Sequence, residues 1–327
     1  MSTSITLKEL SKKLGVSIST ISKALNDSHE ISATTKKRIK EVAALHNYQP
    51  NKIAVNLKSG KTKTIGVVIP STQNYFFAQV LFGIEEVISA SDYNIIISIT
   101  NESLEKEVKA LNTFSNGLVD GFILTLSEET QIHKERSHLE GVKSLKKPMV
   151  MFDRVLKDFE CDKVMVNDYQ IVKETTQKLI AEGKKNIVLV TTIQNLSVGK
   201  SRASGFINAL EKGVQIEGTA ETIDKLLESY VKKNRVDALI ALDEDASLAS
   251  VRVAKKTGKS IPDEIAIIGY ASEKMAMNLT PKLTTLNQHG ITIGQMAAKI
   301  VLSKLKVGVK ESTIEEVKTT LIRRETS

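Results

Sequence analysis

The chain has 327 residues, of which 41% are hydrophobic and 26% charged, with a formal net charge of +8; that length exceeds one small core and points to two or three compact units. There is no run of about eighteen apolar residues, and the first residues lack the basic-then-apolar pattern of a secretion signal, so a membrane-spanning protein is excluded and a cytoplasmic one expected. A single cysteine, Cys161, excludes an internal disulfide and a multi-thiolate metal site, and neither a metal nor another cofactor is expected.

The positive charge is unevenly placed. Residues 1–64 hold twelve Lys/Arg against four Asp/Glu, whereas the thirty-four bases and thirty-four acids of the remainder balance. Clustered cations suit a polyanion whose phosphates they neutralise with release of counterions; a merely solvated basic domain is the alternative. Thr6 and Glu9 read as a capping box that opens a first helix, with Leu7, Leu10 and Leu14 on one face and Gly15 at its end. Ser17 then caps a second helix that turns Ile21, Ala24 and Leu25 inward, and Ser32 caps a third through Ile39, Val42, Ala43 and His46. Two short helices joined by a glycine turn and buttressed by a third describe an all-α helix-turn-helix unit. The outer face of the second helix shows Ile18, Ser19, Ser22, Lys23 and Asn26. In a major groove serine reads either base type, lysine favours guanine acceptors and isoleucine touches a thymine methyl; hydroxyls that only cap the helix are the bland alternative.

The stretch PNKIAVNLKSG (50–60) follows, where Asn51 can cap and Ile53, Ala54 and Leu57 form one apolar stripe on fewer than three helical turns. So short a helix forms only when something packs on it; an ordinary linker is the other reading. From Thr64 apolar β-branched runs alternate with helical stretches: 65–69, 94–99, 121–125, 149–152, 164–166, 187–191, 238–242 and 265–269. This pattern predicts an α/β fold of doubly wound parallel sheets covered on both faces, with too many strands for one sheet and hence two lobes. Ligands on such sheets bind beyond the carboxyl ends of strands. Those positions hold Asn74, Tyr75 and Phe76, then Asp153 beside Arg154, then Arg202 early in a helix, then Asp243, while Phe77 is expected in the core. Acids, an arginine and aromatics suit a hydroxylated small molecule, although Asp153 or Asp243 could simply cap a helix and Arg202 could belong to a structural ion pair. No dinucleotide, Walker A, zinc-protease or nucleophile-elbow motif is present, which argues against an enzyme. His133 and His138, five apart in one predicted helix, read as surface residues.

TLKELSKKLGVSISTISKALN (6–26), ISATTKKRI (31–39) and NYQPN (47–51) closely resemble the headpiece of the LacI/GalR family of bacterial transcription repressors, and the resemblance runs on through the body. It implies a DNA-binding headpiece at 1–50, a hinge at 51–63 and an effector-binding and dimerisation core of periplasmic-binding-protein-like type I fold at 64–327. Within that core it implies a first lobe at about 64–160 and 289–319, a second at 161–288 and 320–327, and crossovers near 160, 288 and 320. By the same resemblance Ser17, Ile18, Ser19, Ser22 and Lys23 face the major groove, and Thr6, Thr20, Asn26, Ser32, Thr35 and Tyr48 face phosphates. Asn51, Ala54, Leu57 and Lys58 belong to a hinge helix in the minor groove, with Leu57 as its wedge. Phe76, Asp153, Arg202 and Asp243 match effector-contacting positions. Lys23 stands where many members carry arginine, Asp243 where asparagine is commoner and Ala271 where aspartate is frequent, and the 211–221 stretch is shorter than usual. The implied protein is a homodimeric, sequence-specific repressor on double-stranded, pseudo-palindromic operator DNA in the bacterial cytoplasm, associated with the nucleoid and controlled by a sugar or related metabolite; a dimer, without a tetramerisation heptad after Ser327, is the expected assembly.

Overall fold

The computed structural model describes residues 5–48, 60–210, 213–309 and 311–327. The chain divides into two compact units, Met1–Thr62 and Lys63–Ser327. The expected hinge residues Asn51, Ala54, Leu57 and Lys58 lie outside the described residues.

The first unit contains α1 (Leu7–Leu14), α2 (Ile18–Leu25) and α3 (Ala33–Leu45). Each begins where a hydroxyl takes up an orphan backbone donor. At α1 the Thr6 hydroxyl accepts from the Glu9 N–H, and the Thr6 N–H donates to the Glu9 carboxylate at 2.8 Å, closing a capping box. Ser17 and Ser32 accept from the Thr20 and Thr35 amides in the same way. Gly15 ends α1 at φ +66°, a conformation that costs a side-chain-bearing residue energy. Leu10, Leu14, Ile21, Ala24, Ile39 and Ala43 form the core of the three helices.

The second unit is built on two parallel-type sheets, one in each lobe. The first lobe opens with β1 (Thr64–Ile69), α4 (Tyr75–Ser89), β2 (Asn94–Ile99), α5 (Leu104–Ser115) and β3 (Gly121–Leu124). It continues through α6 (Glu128–His133), α7 (Ser137–Ser144), β4 (Met149–Phe152) and β5 (Asp162–Val166). The chain then enters the second lobe with α8 (Asp168–Ala181), β6 (Ile187–Thr191), α9 (Ser197–Ile207), β7 (Val214–Glu217) and α10 (Ile223–Lys233). That lobe continues with β8 (Ala238–Ala241), α11 (Glu244–Lys256), β9 (Ala266–Gly269), α12 (Glu273–Asn278) and β10 (Thr284–Asn287). A return adds α13 (Gly290–Val307) and β11 (Ile314–Val317) to the first lobe, and β12 (Thr320–Ile322) closes the second. The first lobe's sheet is ordered β11-β5-β4-β3-β1-β2 and the second's β12-β10-β9-β8-β6-β7, and all pairings among the described residues are parallel except β10 with β12.

Strands β1, β3, β4, β6, β8 and β9 are buried almost throughout, because each sheet carries an apolar cluster on both faces. Ile65, Val67 and Ile69 point to one cluster and Val68 to the other. Helix α13 is locked to the first lobe by backbone contact with α4: a Cβ on Gly294 would lie 2.0 Å from the Val80 carbonyl oxygen, and one on Gly83 2.1 Å from that of Ile291.

Two expectations need correction. The first crossover lies at Asn167, between β5 and α8, and not near 160, because β5 pairs with β4 on one side and β11 on the other while Val164 and Val166 fill the first lobe's core. His133 and His138 do not share a helix, since Lys134 at φ +54° ends α6. His133 is exposed, but Leu139 and Val142 turn α7 inward and carry His138 into the core, where its Nε2 lies 2.8 Å from Glu107 Oε1.

Candidate nucleic-acid interface and ligand cleft

At the start of α2 the Ser17 hydroxyl lies 2.7 Å from that of Ser19 and 2.8 Å from that of Thr20 while also accepting from the Thr20 N–H at 3.1 Å. The hydroxyls therefore do cap, yet a cluster of three, two of them on exposed serines, exceeds what a single cap needs. Beside it Ile18 is 45% exposed, an apolar side chain left in solvent on a helix with core to spare. Ser22 is half-buried. Lys23 is exposed and ion-paired to Glu30. Among the positions matched to phosphates, Thr6 and Ser32 are exposed caps, Asn26 is exposed, and Thr20 and Thr35 are half-buried with hydroxyls bonded to Ser17 and Ser32. Tyr48 is half-buried, and burial raises its phenol above the usual range. The Lys40 ammonium meets the Asp27 carboxylate at 2.8 Å, and Lys36 donates to the Asp27 carbonyl at 3.0 Å. Among the described residues Lys8, Lys37 and Arg38 form no salt bridge, and Lys12 acts on the Glu9 carboxylate through its charge without an ion-pair contact.

In the second unit the strand ends bring Asn74, Tyr75, Phe76, Asp153, Arg202 and Asp243 around one cavity of about 140 Å³. Their environments differ. Asn74 caps α4, accepting from the Phe76 N–H at 2.9 Å, and the Tyr75 hydroxyl accepts from Gln79 at 2.8 Å. The Phe76 ring packs edge-on against Phe77, which continues to Phe152 in the core. Asp153 stands at φ +56° just past β4, 9% exposed, with Oδ1 unpartnered among the described residues. Burial pushes its carboxyl up to about 6, with Asp168 adding to the shift and Arg202 opposing it. Arg202 spends Nε on Asp168 Oδ1 and Nη1 on the Leu242 carbonyl, each at 2.6 Å, with its guanidinium 4.0 Å from the Tyr270 ring centroid. Burial works against its charge, and the Asp168 carboxylate more than offsets this, so the guanidinium stays protonated.

Asp243 is saturated by its own chain. Its two oxygens accept from the Ala246 and Thr192 amides at 2.9 and 2.8 Å and from the Thr192 and Thr191 hydroxyls at 2.8 and 3.4 Å. The cap alternative thus describes Asp243, and the ion-pair alternative describes part of Arg202. Sequence reasoning missed Tyr270, whose buried hydroxyl is unpartnered among the described residues, and Asp168, the anchor of Arg202. Only the fold brings these partners together. The cavity combines an orphan acceptor at Asp153 with orphan donors at Tyr270 and at Nε of Arg154, beside aromatic rings. Such a lining suits a compact molecule with several hydroxyls. No group of three or more metal-ligating side chains occurs among the described residues, and no helix there is long and apolar enough to cross a membrane.

Residues 6–51 match the family described as bacterial regulatory proteins, lacI family, and residues 62–323 match periplasmic binding proteins and sugar binding domain of LacI family. The chain belongs to the LacI family. It is a DNA-binding transcriptional regulator whose core is of the sugar-binding type, in a family of regulators and not enzymes. Catabolite control protein A of Priestia megaterium is 27% identical over 327 residues, covering 96% of both chains. The ribose operon repressor of Haemophilus influenzae is 28% identical over 314 residues, covering 92% of both. A lac repressor dimer bound to operator and the anti-inducer ONPF shares the fold of this LacI-family chain, with TM-score 0.87, 18% identity and 99% of each chain covered.

Proposed function

We propose that two copies of this chain sit across a pseudo-palindromic operator, each laying α2 in the major groove, and that a small hydroxylated molecule in the cleft, a sugar or related metabolite, sets operator affinity. The observation that carries the reading is the outer face of α2: Ile18, the Ser17–Ser19–Thr20 hydroxyls, Ser22 and Lys23 form a small, mixed surface on an otherwise cationic unit. Thr6, Asn26, Ser32, Thr35 and Tyr48 are proposed to position the unit on phosphates, and Asn51, Ala54, Leu57 and Lys58 to act in the minor groove between the two heads. A homodimer is supported by the apolar surface of the first lobe, where Phe82 on α4 and Ile97 and Ile99 on the edge strand β2 are exposed. Effector and operator affinities are then coupled reciprocally. Titration of full-length chain with operator and with scrambled duplex tests the assignment of α2. Lys23→Ala is expected to cost about 1–3 kcal/mol on operator and to relax the preference at one base pair. Equal losses on both duplexes would contradict it.

A further inference from the structure

We propose that Gln131 is a latch on the cleft, capping from the first lobe the N-terminus of a helix in the second. Helix α9, which carries Arg202, has Leu196 at its N-cap position and no side-chain cap of its own. The Ser197 N–H instead donates to Oε1 of Gln131 at 2.7 Å, sixty-six residues away on α6. One turn along α6, Glu128 Oε1 lies 3.5 Å from the Asn195 amide nitrogen. Outside the crossover segments these are the side-chain hydrogen bonds that tie one lobe to the other among the described residues.

Both ends of the latch are held. Helix α6 is fixed to the first lobe through Ser127, whose hydroxyl accepts from the Thr130 N–H and whose own N–H donates to the buried Glu107 at 2.6 Å. At the other end the first turn of α9 lies against the Ile193 carbonyl, so close that a Cβ on Gly199 would fall 2.0 Å from that oxygen. Parting the lobes leaves the Ser197 N–H without its acceptor, and an uncapped helix start is disfavoured. The latch therefore favours the closed cleft before any ligand arrives, and it raises the affinity of whatever ligand the closed form holds. That consequence rests on the cleft being an effector site; the latch itself does not.

The bond uses only an acceptor. Nε2 of Gln131 is buried without a partner among the described residues, so a carboxylate in its place forfeits no bond and meets the positive end of the α9 dipole. Three variants separate this from a general packing role. Gln131→Leu removes the acceptor. Ser197→Pro removes the donor at the first helical position, where proline is tolerated, and Leu196 at φ −78°, ψ 149° already has the backbone that precedes a proline. Gln131→Glu keeps the acceptor. Nitroxide labels at His133→Cys and Lys200→Cys, on exposed sites of the two helices, report the lobe separation by pulsed dipolar spectroscopy of ligand-free full-length chain, diluted with unlabelled chain. Cys161 is buried, with its thiol pushed up to about 11, and stays unlabelled. Gln131→Leu and Ser197→Pro are each expected to raise the long-distance population about fivefold, as loss of one N-cap bond implies, and together no more than either alone. Gln131→Glu keeps the parent distribution. An unchanged distribution in Gln131→Leu or Ser197→Pro, or opening by Gln131→Glu, would overturn the latch. A core that binds no effector would leave these outcomes as they are.

Discussion

At the scale of single residues, two side chains of the proposed sites are held in states that the proposed partners would have to change. Lys23 is paired with Glu30 on an exposed surface, so reaching a base edge means giving up a bond worth no more than about 1 kcal/mol. Glu30→Gln frees the lysine and removes a negative charge from the proposed DNA-facing surface. The expected outcome is a several-fold gain in affinity for operator, read by fluorescence anisotropy at fixed salt; a loss would place Glu30 among the DNA contacts. Asp153 is the second case. Its carboxyl, raised by burial to about 6 and influenced by Asp168, Arg202, Arg154 and Glu102, is protonated more readily in the folded than in the unfolded chain. Its stabilising contribution is thus full below about pH 4 and lost as pH rises through 6, an effect of up to about 3 kcal/mol. Asp153→Asn should therefore stabilise the ligand-free protein at pH 7, with the gain over the parent vanishing by pH 4. Denaturant unfolding at the two pH values checks this, and a gain independent of pH would contradict it.

At the scale of elements, boundaries that a sequence states by chemistry were legible. The Thr6–Glu9 capping box, the Ser17 and Ser32 caps and the Gly15 stop lie where hydroxyl, carboxylate and glycine are the affordable residues. Buried strands such as Ile65–Ile69 announce themselves as continuous apolar runs because both faces are covered. The edge strands β7 (Val-Gln-Ile-Glu) and β11 (Ile-Glu-Glu-Val) do not, being short and half polar where one edge and part of a face meet water, whereas the longer edge strand β2 keeps an apolar run. The α4–α13 crossing was also invisible, because a glycine at close approach looks like any other glycine. It makes a sharp prediction. Gly294→Ala puts a methyl group into the Val80 carbonyl, and no flexible side chain stands there to yield. A loss of about 1–3 kcal/mol or more in denaturant unfolding of the core is expected, whereas the same change at Gly141, which meets nothing within 4 Å, should be close to neutral or stabilising.

At the scale of the whole molecule, the rule that ligands gather beyond strand ends led to Asn74, Tyr75, Phe76, Asp153, Arg202 and Asp243, six side chains that do line one cavity. What each does there was not legible. Whether Asp243 is free or saturated depends on Thr191 and Thr192 of the neighbouring strand, and the anchoring of Arg202 depends on Asp168, thirty-four positions away. The displaced first crossover has the same origin, for a polar-flanked Val164-Met-Val166 run does not say which of two sheets will pair with it. The division of labour is plainer in the charge, since an excess of eight cations in the first fifth of the chain separates a DNA-binding head from a neutral core. Selection of bound sites from a pool of random duplexes by the full-length chain tests that account most directly. It predicts enrichment of one pseudo-palindrome with two matching half-sites, weakened at one base pair by Lys23→Ala. Recovery of no common sequence at a salt concentration where the chain still binds DNA would contradict it.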